Sequence, residues 1–170
     1  MTKIRAQQNL TRARGFTLVE TLVAIAILMI AIVAPFYSVQ QAITASFVSR
    51  DQLIASSLAQ EGVEYIYMLR NQNYLAGRAW LEDIEDCTGT TCTVDATQNS
   101  LSRTIAPLRL SPSGLYTQNT SAGYPVTRFT RTVSVRSISA TQVEVTVTVA
   151  WKTNRNDYSI TVRENLYNWL

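Results

Sequence analysis

The hydrophobic pattern divides the chain into a continuous apolar run, an amphipathic stretch and a later set of alternating segments. Residues 21–37 are apolar with few polar interruptions. After them, apolar residues recur at spacings of three, four and seven, which is the period of one helical face. The pattern predicts one helix from about Thr17 to about Arg70, apolar all round in its first half and amphipathic in its second half.

Pro35 lies inside this predicted helix. Proline has no backbone N–H to donate, so we expect a helix break or kink at Pro35. Two interpretations of Pro35 are open. One is a helix break that has a functional role, and the simpler one is a kink at the point where an apolar helix leaves a membrane.

Strict alternation of apolar and polar residues marks three segments near the end of the chain, at 129–136, 143–152 and 158–163. A period of two is typical of a half-buried strand, and the linkers at 137–141 and 153–157 are short. The pattern predicts a three-stranded antiparallel meander with one apolar face. The amphipathic half of the helix supplies the cover for that face, so the fold class is α+β, a long helix packed on an antiparallel sheet.

Between the helix and the meander the signal is weaker. Residues 71–77 carry turn-forming side chains that should end the helix, and 99–124 are rich in Ser, Thr, Gly, Asn and Pro. We expect loops here, with short strands near 106–110 and 115–117.

The net charge of +3 is a property of the first fifteen residues. Four of the 15 basic residues lie there with no acidic residue, which leaves 11 basic and 12 acidic residues for the remainder. The excess of basic residues therefore indicates a targeting segment at the N-terminus rather than a nucleic-acid-binding domain. Basic residues before an apolar span favour an N-terminus in the cytoplasm and a domain outside.

The most informative stretch is Arg14-Gly15-Phe16-Thr17-Leu18-Val19-Glu20, at the entrance of the apolar run. A charged side chain in hydrocarbon costs at least about 2.5–3.5 kcal/mol, so Glu20 should have a partner. The simpler alternative is a signal anchor with a stray Glu at its edge. Ala34 is followed by Pro35, which disfavours ordinary signal cleavage there, and the 22 residues from Phe16 to Tyr37 are enough to cross a bilayer core.

This stretch resembles the class III signal of type IV pilins and of type II secretion pseudopilins. Family members carry a basic leader, a Gly, then Phe-Thr-Leu-X-Glu and an apolar helix, matched here over about residues 12–37. The resemblance implies cleavage between Gly15 and Phe16 by a prepilin peptidase, and methylation of the new Phe16 amine. It also implies that Glu20 pairs with the Phe16 amine of a neighbouring subunit during filament assembly. Members often carry a helix-breaking proline near the position of Pro35.

Cys87 and Cys92 are the two cysteines of the chain. Four intervening residues with a central glycine suit a disulfide-closed turn in an exported domain. Two free thiols or a metal site are the alternatives, and a metal site would need further ligands in a chain without histidine. No cofactor is expected.

Catalytic chemistry finds little support. The absence of histidine excludes Ser-His-Asp and Cys-His machinery, and no phosphate-binding glycine motif occurs. The acidic cluster at residues 82–86 is better explained as a solvated turn than as a Ca²⁺ site. A nucleic-acid partner rests on five arginines that are better explained as a solvated sheet face; these are Arg103, Arg109, Arg128, Arg131 and Arg136.

We therefore expect a non-enzymatic filament subunit that passes from the bacterial cytoplasmic membrane to a surface filament. Residues 58–64, followed by Arg70 and Asn71, resemble minor pilins and minor pseudopilins. Expected partners are the prepilin peptidase, other pilin or pseudopilin subunits and the assembly machinery. The alternative is a single-pass, signal-anchored protein that does not polymerise and binds a ligand or surface. The expected parts are a leader at 1–15, a membrane-spanning half-helix at 16–37, an amphipathic half-helix at 38–70, a loop-rich region at 71–127 and the meander at 128–170.

Overall fold

The structure is a computed structural model that describes residues 15–153 and 155–168. These residues form two compact units, one ending at Ser46 and one beginning at Phe47. The helix α1 (Leu18–Leu75) contributes to both units. Of the leader predicted at 1–15, all but Gly15 lies outside the described residues.

The α1 helix ends five residues later than the sequence predicted. Gly77 has φ +68° and follows the last turn, where the amide of Arg78 donates to the carbonyl of Asn73 and that of Gly77 to the carbonyl of Tyr74. This is a Schellman cap, and glycine adopts its left-handed position without strain. The turn-forming residues 71–75 therefore belong to the helix, because the stop signal is Gly77 and not the asparagines before it.

The second unit contains a five-stranded antiparallel sheet in the order β2-β1-β5-β6-β7. The predicted meander is confirmed as β5 (Thr130–Ser139), β6 (Gln142–Thr153) and β7 (Asn156–Tyr167). The sheet also contains β1 (Thr91–Asp95) and β2 (Ser100–Ser102), which lie in the region predicted to be loop-rich and are additional to the two short strands predicted there. A separate pair, β3 (Arg109–Leu110) and β4 (Tyr116–Thr117), falls within the two short strands that were predicted.

One face of the sheet packs against the second half of α1. Val145, Val147 and Val149 of β6 are buried there, together with Leu58 and Ile66 of the helix. Burying a Val or Leu side chain contributes about 1.5–3 kcal/mol, so this layer supplies most of the unit's hydrophobic stabilisation. The predicted helix-on-sheet arrangement is confirmed.

Gly62 lies where the helix approaches the sheet closely. A Cβ added to Gly62 would sit 2.9 Å from Val147 Cγ1 and 3.3 Å from Arg131 Cδ. Glycine is unfavourable in a helix interior, so its presence here reflects the space available and not helix propensity.

Asp95 connects the end of β1 to β4. Its buried carboxylate accepts hydrogen bonds from Thr117 Oγ1 at 2.6 Å, from the Gln118 amide at 2.6 Å and from Thr97 Oγ1 at 2.7 Å. Burial alone would raise the pKa of Asp95, but the hydrogen bonds from Thr117, Thr97 and Gln118 outweigh it and hold the pKa below its usual value. Burial and the nearby Asp95 charge raise the pKa of Tyr65.

Candidate functional site

The first turn of α1 begins two residues after the Gly15–Phe16 bond. Residues 15–17 are non-helical, and the side-chain Oγ1 of Thr17 accepts a hydrogen bond from the Glu20 amide at 3.3 Å. The carbonyl of Thr17 accepts the amide of Thr21 at 3.2 Å. Thr17 is therefore the N-cap of α1, in the Thr-x-x-Glu pattern of a capping box. Thr17 has a second role beyond its place in the signal, and the Thr-x-x-Glu spacing alone is enough to identify this cap.

Gly15 is exposed, and the structure gives no internal reason for a glycine there. A Cβ on it would meet no described atom within 4 Å. No residue of the described part of the chain therefore requires a glycine at this position, whereas a molecule that approaches the backbone closely would.

Every described side chain of the first unit is exposed. Each large apolar side chain between Phe16 and Val33 is more than half exposed, and the helix is long and apolar enough to cross a membrane. An apolar surface of this extent marks a lipid or protein contact. Within the described part of the chain, Glu20 is the acidic residue of the first helical turn and forms no ion pair.

The helix break predicted at Pro35 is absent, because α1 runs through Pro35; a kink at Pro35 stays a prediction. A proline removes one N–H from the ladder, and a long apolar helix can lose one hydrogen bond without ending. Next to it, the Ser38 hydroxyl donates to the Ala34 carbonyl at 3.2 Å.

The predicted disulfide between Cys87 and Cys92 is present, with the two Cα atoms 5.4 Å apart. Both cysteines are buried. Gly89, at φ +71°, makes the turn between them, and its amide donates to the carbonyl of Val135 on β5. The closed loop thus fixes the entry of β1 into the sheet.

The arginines considered for nucleic-acid binding each have an acceptor within the chain. Arg103 pairs with Asp86 and Arg136 with Glu144, Arg128 pairs with the buried Asp51, and the side chain of Arg109 donates to the Tyr124 carbonyl.

Arg131 contradicts the prediction of a solvated sheet face, because it is fully buried between α1 and the sheet. It shares the register of Phe129 and Val133, which places it on the apolar face of β5. That register was the sequence signal that could have identified it.

The acidic cluster at 82–86 is engaged with arginines. Asp83 lies 2.8 Å from Arg78 and Asp86 lies 2.9 Å from Arg103. Among the described residues, no group of three potential ligands is arranged to hold a metal ion.

Comparison with known proteins adds one match. The model of the prokaryotic N-terminal methylation motif matches residues 10–34, which include Gly15, Phe16, Thr17 and Glu20. No curated protein and no solved structure matches the chain significantly. The chain therefore carries the prokaryotic N-terminal methylation motif, the signal of type IV pilins and pseudopilins, at the start of an exposed apolar helix.

Proposed function

We propose that this chain is a structural subunit of a type IV pilus-like filament, of the minor pilin or pseudopilin kind. The observation that carries the proposal is the continuity of three parts in one chain. The methylation motif leads directly into an exposed, membrane-length apolar helix, and that helix continues into an α+β unit.

Processing is the first step of the proposed function. A prepilin peptidase cuts between Gly15 and Phe16, and the new Phe16 amine is methylated. Gly15 is exposed, and no described atom lies near its Cβ position. Both observations support a glycine that is required for close approach of the peptidase to the backbone.

Assembly follows from the charge that processing creates. The Phe16 amine of one subunit approaches Glu20 of its neighbour, and two opposite charges about 4 Å apart attract by about 4 kcal/mol at an effective dielectric constant near 20. An uncleaved chain presents an amide at the same place and lacks this attraction. The apolar side chains of residues 22–33 then bury against neighbouring helices as subunits leave the lipid.

The second unit is the part of the subunit that we expect outside the membrane. With the N-terminus in the cytoplasm, this unit lies outside the membrane, where its disulfide is stable. The resemblance of residues 58–64 to minor pilins and minor pseudopilins favours a scarce priming or tip subunit over the bulk filament subunit.

The test is the N-terminal sequence and mass of membrane-extracted protein from cells with and without the prepilin peptidase. We expect peptidase-dependent loss of residues 1–15 and a chain that begins with methylated Phe16. An intact N-terminus in the presence of active peptidase would overturn the proposal and leave the non-polymerising, signal-anchored protein.

Filament membership needs a second measurement, because processing alone does not prove assembly. Sheared surface filaments and membrane fractions are probed for the processed chain, by antibody or by mass spectrometry. Processed chain confined to the membrane under conditions that produce filaments would also favour the non-polymerising alternative.

A further inference from the structure

The N-cap of α1 lies next to the peptide bond that the proposed function requires to be cut. Thr17 caps the helix through its side chain, and Gly15 and Phe16 are outside the helix. A single residue, Phe16, therefore separates the scissile bond from Thr17, the residue that decides where the helix begins.

A helical peptide bond is a poor substrate for a peptidase. Its carbonyl and amide are hydrogen-bonded along the helix, and these bonds must break before an enzyme can approach the backbone. Cleavage of the precursor is therefore favoured by any interaction that keeps Phe16 outside α1.

The amide of Glu20 has two acceptors to choose between. In the structure it donates to Thr17 Oγ1 at 3.3 Å. In a helix extended upstream, the same N–H would donate to the carbonyl of Phe16, four residues earlier. Because an unsatisfied N–H in an apolar environment is costly, loss of the hydroxyl favours the second acceptor and draws Phe16 into the helix.

We propose that Thr17 is a positioning residue for precursor cleavage: its hydroxyl caps α1 and keeps the Gly15–Phe16 bond extended and accessible to the peptidase. This inference rests on the proposed processing at Gly15. It assigns to Thr17 a role before assembly, and it is separate from the pairing of Glu20 with a neighbouring amine.

The test compares the cleavage rate of full-length precursors in membranes that contain a prepilin peptidase. Thr17→Val keeps the side-chain shape but lacks the acceptor, whereas Thr17→Ser and Thr17→Asn keep a cap with a different shape. Thr21→Val is the matched control, because the Thr21 hydroxyl donates to the Leu18 carbonyl at 2.8 Å and caps nothing.

We expect Thr17→Val to be cleaved more slowly, on the order of fivefold. Thr17→Ser, Thr17→Asn and Thr21→Val should be cleaved at close to the wild-type rate. Wild-type cleavage of Thr17→Val would overturn the inference and leave the proposed function intact. Slow cleavage of Thr17→Asn together with normal cleavage of Thr17→Val would show that the peptidase reads side-chain shape, which also overturns it.

A conformational measurement separates capping from direct contact with the peptidase. The four phenylalanines of the full-length precursor are labelled with ¹³C and ¹⁵N in detergent micelles, without the enzyme. The Phe16 Cα shift should move toward helical values in Thr17→Val and stay unchanged in Thr21→Val. An unchanged Phe16 shift in Thr17→Val would reject the capping role, whereas an uncleaved wild-type precursor would reject both this inference and the proposed function.

Discussion

The Nη1 atom of Arg131 lies 2.6 Å from Oε2 of Glu61, so a fully buried guanidinium on β5 is paired with a carboxylate on α1. Arg131 also donates to the carbonyls of Leu58 on the helix and Val94 on β1. One side chain thereby joins the helix to two strands. Arginine suits this position because its planar group offers donors in several fixed directions.

Removing Glu61 should therefore destabilise the second unit. We expect Glu61→Ala to lower the free energy of unfolding by about 2 kcal/mol, less than the full effect of breaking a buried pair because Glu61 is partly exposed. Arg131→Met in the Glu61→Ala background should recover part of this loss, since no buried charge then remains unpaired. Urea unfolding of the full chain in detergent measures all the variants, and strictly additive effects would contradict the coupling.

Gly62→Ala should also destabilise, although alanine is the better helix former by about 1 kcal/mol. The new Cβ would lie 2.9 Å from Val147 Cγ1, and overpacking of this kind costs about 1–3 kcal/mol. We expect a net loss of about 1 kcal/mol. Val147→Ala should reduce this loss when combined with Gly62→Ala, whereas Gln60→Ala on the exposed face should be neutral. A stabilising Gly62→Ala in thermal unfolding would contradict the tight approach.

Asp95 should make the stability of the second unit depend on acid. Its pKa is lowered in the folded state, so the unfolded chain takes up a proton first as the pH falls. The stability that the ionised Asp95 carboxylate contributes is complete above the pKa of Asp in the unfolded chain, about 4. It is lost as the pH falls through the lower pKa of Asp95 in the folded state. We expect Asp95→Asn to lose about 2 kcal/mol at pH 7 and to show a flatter decline in stability below about pH 4. Parallel pH profiles of the two proteins, by chemical unfolding, would contradict this role.

Glu20→Ala should separate membrane insertion from assembly. The variant keeps the apolar helix and the Gly15–Phe16 bond, so insertion and processing should persist while incorporation into filaments falls at least tenfold. Gly15→Ala is the contrasting variant, because its uncut precursor should accumulate in the membrane. Quantification of processed chain in sheared filaments distinguishes the two, and normal incorporation of Glu20→Ala would contradict the ion-pair mechanism.

The sequence predicted the parts of the fold in which one residue pattern dominates. The alternation in β5, β6 and β7 is regular because one face is buried and the other is polar. By contrast, four consecutive residues of β1, from Cys92 to Asp95, are buried, so the strand shows no alternation. Its interior position in the sheet, between β2 and β5, could not be predicted from its own residues.

The errors at single residues have related causes. Arg131 was assigned to solvent because arginine is rarely buried, and its partner Glu61 is 70 residues away in sequence. The break at Pro35 was predicted from local chemistry that a long helix can absorb. In the N-terminal segment, the motif identified Gly15, Phe16 and Glu20, and the Thr-x-x-Glu spacing also marks Thr17 as a cap, which its hydrogen bond confirms.

The order of the strands has a consequence for how the exported unit acquires its structure. β6 and β7 pair with their sequence neighbours, as β5 does with β6, so this meander can form from local hairpins as soon as the C-terminal segment is available. The β1 strand must cross from residues 91–95 to the edge of β5, which is a long-range closure and therefore slow. Because Cys87 and Cys92 are only five residues apart, we expect their disulfide to form locally and to hold the start of β1 ready for its docking on β5.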